Sequence, residues 1–174
     1  LLLFLARFLG TYIILSLAYK LYLDQYLPHN TPDPFTKLTS DVTAFGLNKC
    51  GFFTFSNIAE NQPWMRVVMD GQVASIVNEG CNAISILIIF IAFIVAFYTN
   101  FKQTFLFILS GLAILFVMNI SRIMLLNYIF RYHAEYGKMA HDYLFPAIIY
   151  GSIVILWIVW IKFFVTKYNK QNAK

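Results

Sequence analysis

Residues 105–130, FLFILSGLAILFVMNISRIMLLNYIF, carry one charge, Arg122, in an otherwise apolar run. About 20 such residues in a helix cross the hydrocarbon core of a bilayer. A run of this length therefore dictates a membrane helix, because in lipid every backbone polar group must be satisfied within the segment. Three further stretches read the same way. The first is residues 1–27, opening with LLLFLARFLGTYIILSLAYKLYL, with Arg7 and Lys20 near its ends where long cationic side chains can snorkel. The second is Asn82 to Tyr98. The third span begins near Thr104 after the tight linker TNFKQT. The fourth is Tyr143 to Val165, with Asp142 as its N-cap and Pro146 in its first turn. Only 12% of the chain is charged, against about 25% in soluble domains. A cleavable signal peptide is disfavoured for the first run, which is too long and lacks a small-x-small site after it. Leu1 opens the chain without Met, and a short native N-terminus is expected before it.

The expected fold is thus an α-helical integral membrane protein of about four transmembrane helices. Residues 1–27 form the first helix, residues 28–81 a small extracytoplasmic cap, and residues 82–174 a three-span region with a cytoplasmic tail. In the cap, TPDPFTKLTSDVTAFGL reads as an amphipathic helix. Asp33 caps it, Pro34 opens it, and Phe35, Leu38, Val42 and Phe45 form an apolar stripe that could lie in the membrane interface. In RVVMDGQVASIV, Asp70-Gly71 between two β-prone runs predicts a hairpin with a type I′ turn.

Basic residues set the orientation. Lys102 lies in the short linker after span two, and Lys162, Lys167, Lys170 and Lys174 cluster at the C-terminus. By the positive-inside rule both are cytoplasmic, and with four spans so is the N-terminus. The cap and residues 122–142 then face outward. Lys37, Lys49 and Arg66 in the cap weigh against this only weakly, since the cap is long and acidic residues accompany them. The net charge of +5 is scattered, so it does not point to a nucleic-acid partner.

A few residues are out of place in such a membrane protein. Arg122 in its apolar helix costs at least about 2.5–3.5 kcal/mol at mid-bilayer, less near the boundary where counting from Thr104 puts it. It either snorkels, pairs with Glu79, or faces a wet site. Asn119 lies one turn earlier on the same face. Cys81, in NEGCNAIS, opens span two on the outer side. It is either a small buried hydrophobe, a disulfide partner of Cys50, or a thiolate stabilised by the helix head and Arg122. His141 lies just ahead of span four, also on the outer side; it stands out modestly over His29 and His133. A thiol, a base and a cationic stabiliser suffice for acyl transfer. No Cys-x-x-Cys or His-x-x-x-His spacing suggests zinc, no phosphate loop is present, and no cofactor is implied.

NEGCNAIS, then NISR, then HDYLFP entering the last span resemble the exosortase/archaeosortase family, over a stretch from about Pro32 to the end. Glu79, Cys81, Asn82, Asn119, Arg122 and His141 match its pattern. Ala83 stands where many members have Gly, and this chain has fewer spans than the better-known members. The resemblance implies a cysteine transpeptidase or protease at the outer face of the bacterial cytoplasmic membrane. Cys81, Arg122 and His141 would be catalytic, and Glu79, Asn82 and Asn119 supporting. The implied partner is an exported protein ending in a sorting signal: a short motif, a transmembrane helix and a basic tail. A membrane partner subunit is a further option. Two other functions remain open on the residues alone: a non-enzymatic membrane scaffold, and a thiol–disulfide exchanger using Cys50 and Cys81.

Overall fold

The computed structural model describes residues 2–172. Helix α1 (Leu2–Leu23) is followed by a 3-10 turn, Leu27–His29, and by α2 (Pro34–Lys49). Strands β1 (Thr54–Ile58), β2 (Met65–Met69) and β3 (Gln72–Val77) form one antiparallel sheet in the order β1-β2-β3. Helices α3 (Ile84–Ala96) and α4 (Phe101–Tyr132) come next. The last part is one helical rod: α5 (Ala134–Met139), a π segment (Ala140–Leu144), α6 (Phe145–Val159), a second π segment (Trp160–Val165) and α7 (Thr166–Asn172). The helical membrane fold with a small cap is the one expected.

Among the described residues, three helices are long and apolar enough to cross a membrane: Leu2–His29, Phe101–Tyr132 and Ala134–Tyr168. The second expected span, 82–98, is a helix only over Ile84–Ala96, 13 residues. That is about 20 Å, against a hydrocarbon core of about 30 Å. Its ends have local causes. Ala83 sits at φ 65°, in the left-handed region, so the helix cannot extend back through it. At the other end Phe97 leaves helical geometry, and its carbonyl accepts from Trp160 Nε1 at 3.1 Å. This short helix lies in the middle of the bundle. Phe90 and Ile94 on α3, Leu115 on α4, Ile153 on α6 and Trp160 form its buried core, and α1 packs along its other side.

The third span starts earlier than expected. Asn100 caps α4, its side chain accepting from Gln103 N at 2.9 Å. The 32 residues of α4 reach about 48 Å, well beyond the hydrocarbon, so its C-terminal part is free to carry the cap. The fourth span also differs. Asp142 caps nothing, because the chain is already helical from Ala134 and Asp142 lies inside the first π segment. Pro146 does fall in the first turn of α6. A proline ring crowds the carbonyl four residues back, here that of Asp142, and the wider π turn lies at that point.

In the cap, Asp33 caps α2 as its residues promise, its carboxylate accepting from Phe35 N at 3.0 Å and Thr36 N at 3.1 Å. The apolar stripe keeps Leu38 and Phe45 outward, as an interfacial helix requires, and the face packed on the protein is the small, polar one. Thr36, Thr39, Ser40, Thr43, Ala44 and Leu47 are buried, while Leu38 and Phe45 are exposed. Small side chains permit this: Gly46 lets Met124 of α4 come close. The buried hydroxyls of Thr39 and Thr43 donate to Phe35 O and Thr39 O, both at 2.8 Å, so they bring little unsatisfied polarity inward. The Asp70-Gly71 hairpin is present, with φ 49° and 79° at the two turn residues and Met69 facing Gln72. Strand β1 was not foreseen.

Candidate active site

The cap is strung along α4 in a regular descent. At the hairpin tip Asp70 accepts from the Tyr132 hydroxyl. Further down, Ser75 on β3 donates to Asn127 at 2.9 Å. Val77, at the end of β3, shares a buried cluster with Leu47, Met65, Val67 and Ile123. Next comes the Cys81 carbonyl, which accepts from Asn119 Nδ2 at 2.9 Å. The chain from Asp70 to Cys81 thus runs antiparallel to α4, meeting residues 132, 127, 123 and 119 in turn.

Cys81 arrives through a tight turn. Its N–H donates to Asn78 O at 2.9 Å, and Gly80 N donates to Asn78 Oδ1 at 3.0 Å. Its side chain is partly buried against the Leu47–Met65–Val67 cluster. The residue was expected at the head of a helix, but α3 begins three residues later. The helix head is served instead by Asn82, whose Oδ1 accepts from Ile84 N at 2.9 Å. Asn82 is wholly buried, and its Nδ2 donates to Tyr19 of α1 at 3.1 Å and Thr36 of α2 at 3.0 Å. Tyr22 adds a bond to the Asp33 carboxylate at 3.1 Å. Asn82 is therefore the knot that holds α1, the cap and α3 together behind the thiol.

Arg122 lies beside this turn. Its Nη1 donates to Asn119 Oδ1 at 3.3 Å, and its Nε is buried with no partner. One fully buried amide thus links the Cys81 backbone to the guanidinium. Arg122 lines a cavity of about 150 Å³ with Gly80, Ala83 and Ile86 on one side and Pro146, Ile149 and Tyr150 of α6 on the other. The pairing of Arg122 with Glu79 does not form: among the described residues the one ion pair is His141–Asp142. His141 is half exposed on the first π segment, its Nδ1 3.0 Å from Asp142 Oδ1. The neighbouring Ala140 is buried against Leu126, one turn beyond Arg122 on α4. The imidazole therefore belongs to the same end of the bundle, but no hydrogen bond joins it to Cys81 or Arg122 among the described residues. Cys50 and Cys81 are both free thiols, so the disulfide alternative is not realised.

Three participants were not picked out as such in the sequence. Asn78 builds the turn before the thiol, Asp142 holds the imidazole, and Tyr150 lines the cavity. The adjacent His-Asp pair was a usable signal, whereas the cavity wall on α6 depends on packing alone.

These features define a polytopic membrane protein of helical type, in which one buried amide ties the Cys81 backbone to the Arg122 guanidinium where a small cap meets the bundle. The family model described as transmembrane exosortase (Exosortase_EpsH) matches residues 2–164, and the chain belongs to that family. No curated protein and no solved structure gives a significant match.

Proposed function

We propose that the protein is a cysteine transpeptidase or peptidase that cleaves the C-terminal sorting signal of exported proteins, at the outer face of the bacterial cytoplasmic membrane. The observation that carries this reading is the Asn119 bridge between Cys81 and Arg122, within a chain of the exosortase family. Arg122 keeps a buried Nε without a partner and faces a cavity. An unpaired guanidinium donor there suits a charge that exists only during reaction.

In the mechanism, His141 Nε2 takes the proton of the Cys81 thiol. Asp142, on Nδ1, fixes the tautomer that leaves Nε2 free to accept it. The sulfur attacks the scissile carbonyl carbon, and the electron pair of the C=O bond moves to oxygen as an oxyanion. Arg122 donates to that oxyanion. Collapse breaks the C–N bond, and the imidazolium returns its proton to the leaving amine. The thioester is then resolved by water or by an acceptor amine, with His141 again as base. The substrate enters the bilayer through its own helix, so its scissile bond is presented at the membrane surface, the level at which Cys81 sits if the cap faces outward.

Co-expression with an exported protein bearing such a tail tests the reading. Wild type and Cys50→Ala should process it, and Cys81→Ala should not. Processing that survives Cys81→Ala overturns the proposal, and dependence on both cysteines favours thiol–disulfide exchange.

A further inference from the structure

The two edges of the cap sheet differ. The outer edge of β1 is closed by α2: the Asn48 side chain accepts from Thr54 N at 3.0 Å and donates to Thr54 O, and Ser56 bonds to Asp41. The outer edge of β3 is open. Among the described residues, no backbone group of residues 72–77 bonds beyond the sheet. A two-residue turn makes Met69 and Gln72 the bonded pair, so Val73 directs its N–H and C=O outward. The bulge opposite Val67/Val68 shifts the alternation by one residue, and Ile76, facing Arg66, is the next outward position. Both side chains are more than half exposed, at 55% and 53%. A groove of about 380 Å³ separates this edge from Phe130 of α4. Natural edges are usually guarded by lysine, proline or a covering element, and β3 has no such residue.

We infer that the open edge of β3 is the docking strand for the extended segment of the substrate that precedes its membrane helix. The inference rests on the proposed function. Three observations select this occupant. Outward backbone N–H and C=O groups are satisfied by a peptide in β conformation. The strand ends at Val77, four residues before Cys81, so a peptide laid on it is delivered to the thiol. The strand also descends α4 from the Tyr132 end to the Asn119 end. An exported chain heading into its own membrane helix travels in that same direction, so it pairs parallel to β3. Its side chains alternate between the Phe130 groove and the outer face of the sheet. Recognition therefore comes from the backbone, with selectivity at alternate positions.

The probe is an exported reporter ending in a short randomised segment, an apolar helix of about 20 residues and a basic tail. It is reconstituted in liposomes with full-length Cys81→Ala protein carrying photoreactive benzoylphenylalanine at Ile76 or, as control, at Phe55 of β1. Crosslinks from Ile76 should map to the randomised segment and exceed those from Phe55. Val73→Pro removes an outward N–H without touching the β2 ladder and should lower the Ile76 yield. The loss of that one hydrogen bond corresponds to roughly fivefold. Equal yields from the two edges, or a yield no higher than with a reporter lacking the segment, overturn the inference. Because Cys81→Ala cannot cleave, this readout is separate from activity. Cleavage that needs Cys81 together with absent Ile76 crosslinks sinks the docking strand alone, whereas Cys81-independent cleavage sinks the enzyme reading.

Discussion

Asn119 Nδ2 donates to the Cys81 carbonyl at 2.9 Å across 38 residues of sequence. The same amide accepts from Arg122 with its oxygen, so its two ends hold the Cys81 backbone and the guanidinium in one register. Asn119→Ala leaves a buried carbonyl unsatisfied, at a cost of about 1–3 kcal/mol. Asn119→Asp keeps the size and the acceptor for Arg122 but loses the donor to Cys81. Both variants should melt lower in detergent and process a tailed substrate at least about tenfold more slowly. Asn119→Asp behaving as wild type would show that the carbonyl contact is dispensable.

Ala83 occupies the left-handed region at φ 65°, between the buried Asn82 and the first turn of α3. A side chain with a Cβ costs about 1–2 kcal/mol there, and glycine does not. Ala83→Gly should raise thermal stability by about 1 kcal/mol, because the strain relieved slightly exceeds the entropy that glycine adds to the unfolded chain. Ala83→Val should lower it. A melting curve of each variant in the same detergent decides the matter, and a destabilised Ala83→Gly would contradict the strain argument.

What was legible in the sequence was local chemistry. Asp33-Pro34 announces a helix start, Asp70-Gly71 announces a tight hairpin, and apolar length announces membrane helices; each needs only a few neighbouring residues. What was not legible depends on partners distant in sequence. Strand β1 exists because β2 pairs with it, Phe55 facing Val68. The burial of the threonine face of α2 depends on the close approach of Met124 at Gly46. The α3 start shifted from Asn82 to Ile84 because Asn82, drawn inward by Tyr19 and Thr36, forces Ala83 into a conformation that no helix propensity forecasts. Among the residues proposed for the site, residue type and depth placed Cys81, Asn119 and Arg122 at one level, and the two bonds of Asn119 join them there. The half-exposed position of His141 was not legible, since it results from an unbroken helix where a cap at Asp142 was expected.

The two cysteines should differ in labelling. Cys50 is exposed at the end of α2, and Cys81 is partly buried behind the Asn78 turn. With the cap outward, a membrane-impermeant maleimide added to intact cells should modify Cys50 quickly and Cys81 more slowly. Neither should require prior reduction. Cys81→Ala should leave the fast phase and remove the slow one. Labelling of Cys50 only after cell lysis would invert the topology, and with it the side on which substrate is met.

Gly111 and Gly151 provide a paired test of bundle packing. A Cβ at Gly111 of α4 would stand 2.2 Å from Cζ of Phe90, whose ring is wholly buried in the core shared by α3, α4 and α6. The ring cannot swing aside without displacing Leu115, Ile153 or Trp160, so the two helices must part. Overpacking of this kind costs about 1–3 kcal/mol. A Cβ at Gly151 of α6 meets nothing within 4 Å. There alanine brings only its higher helix propensity, which favours it by up to about 1 kcal/mol in a helix interior. Gly111→Ala should therefore melt lower than wild type and Gly151→Ala as high or higher, in the same detergent. Because the cavity beside Arg122 is walled by Ala83 and Ile86 on one side and Ile149 and Tyr150 on the other, parting α3 from α4 also loosens the site. Gly111→Ala should slow processing even at temperatures where the protein remains folded. Equal melting of the two variants would mean that α3 is not held against α4 at this glycine.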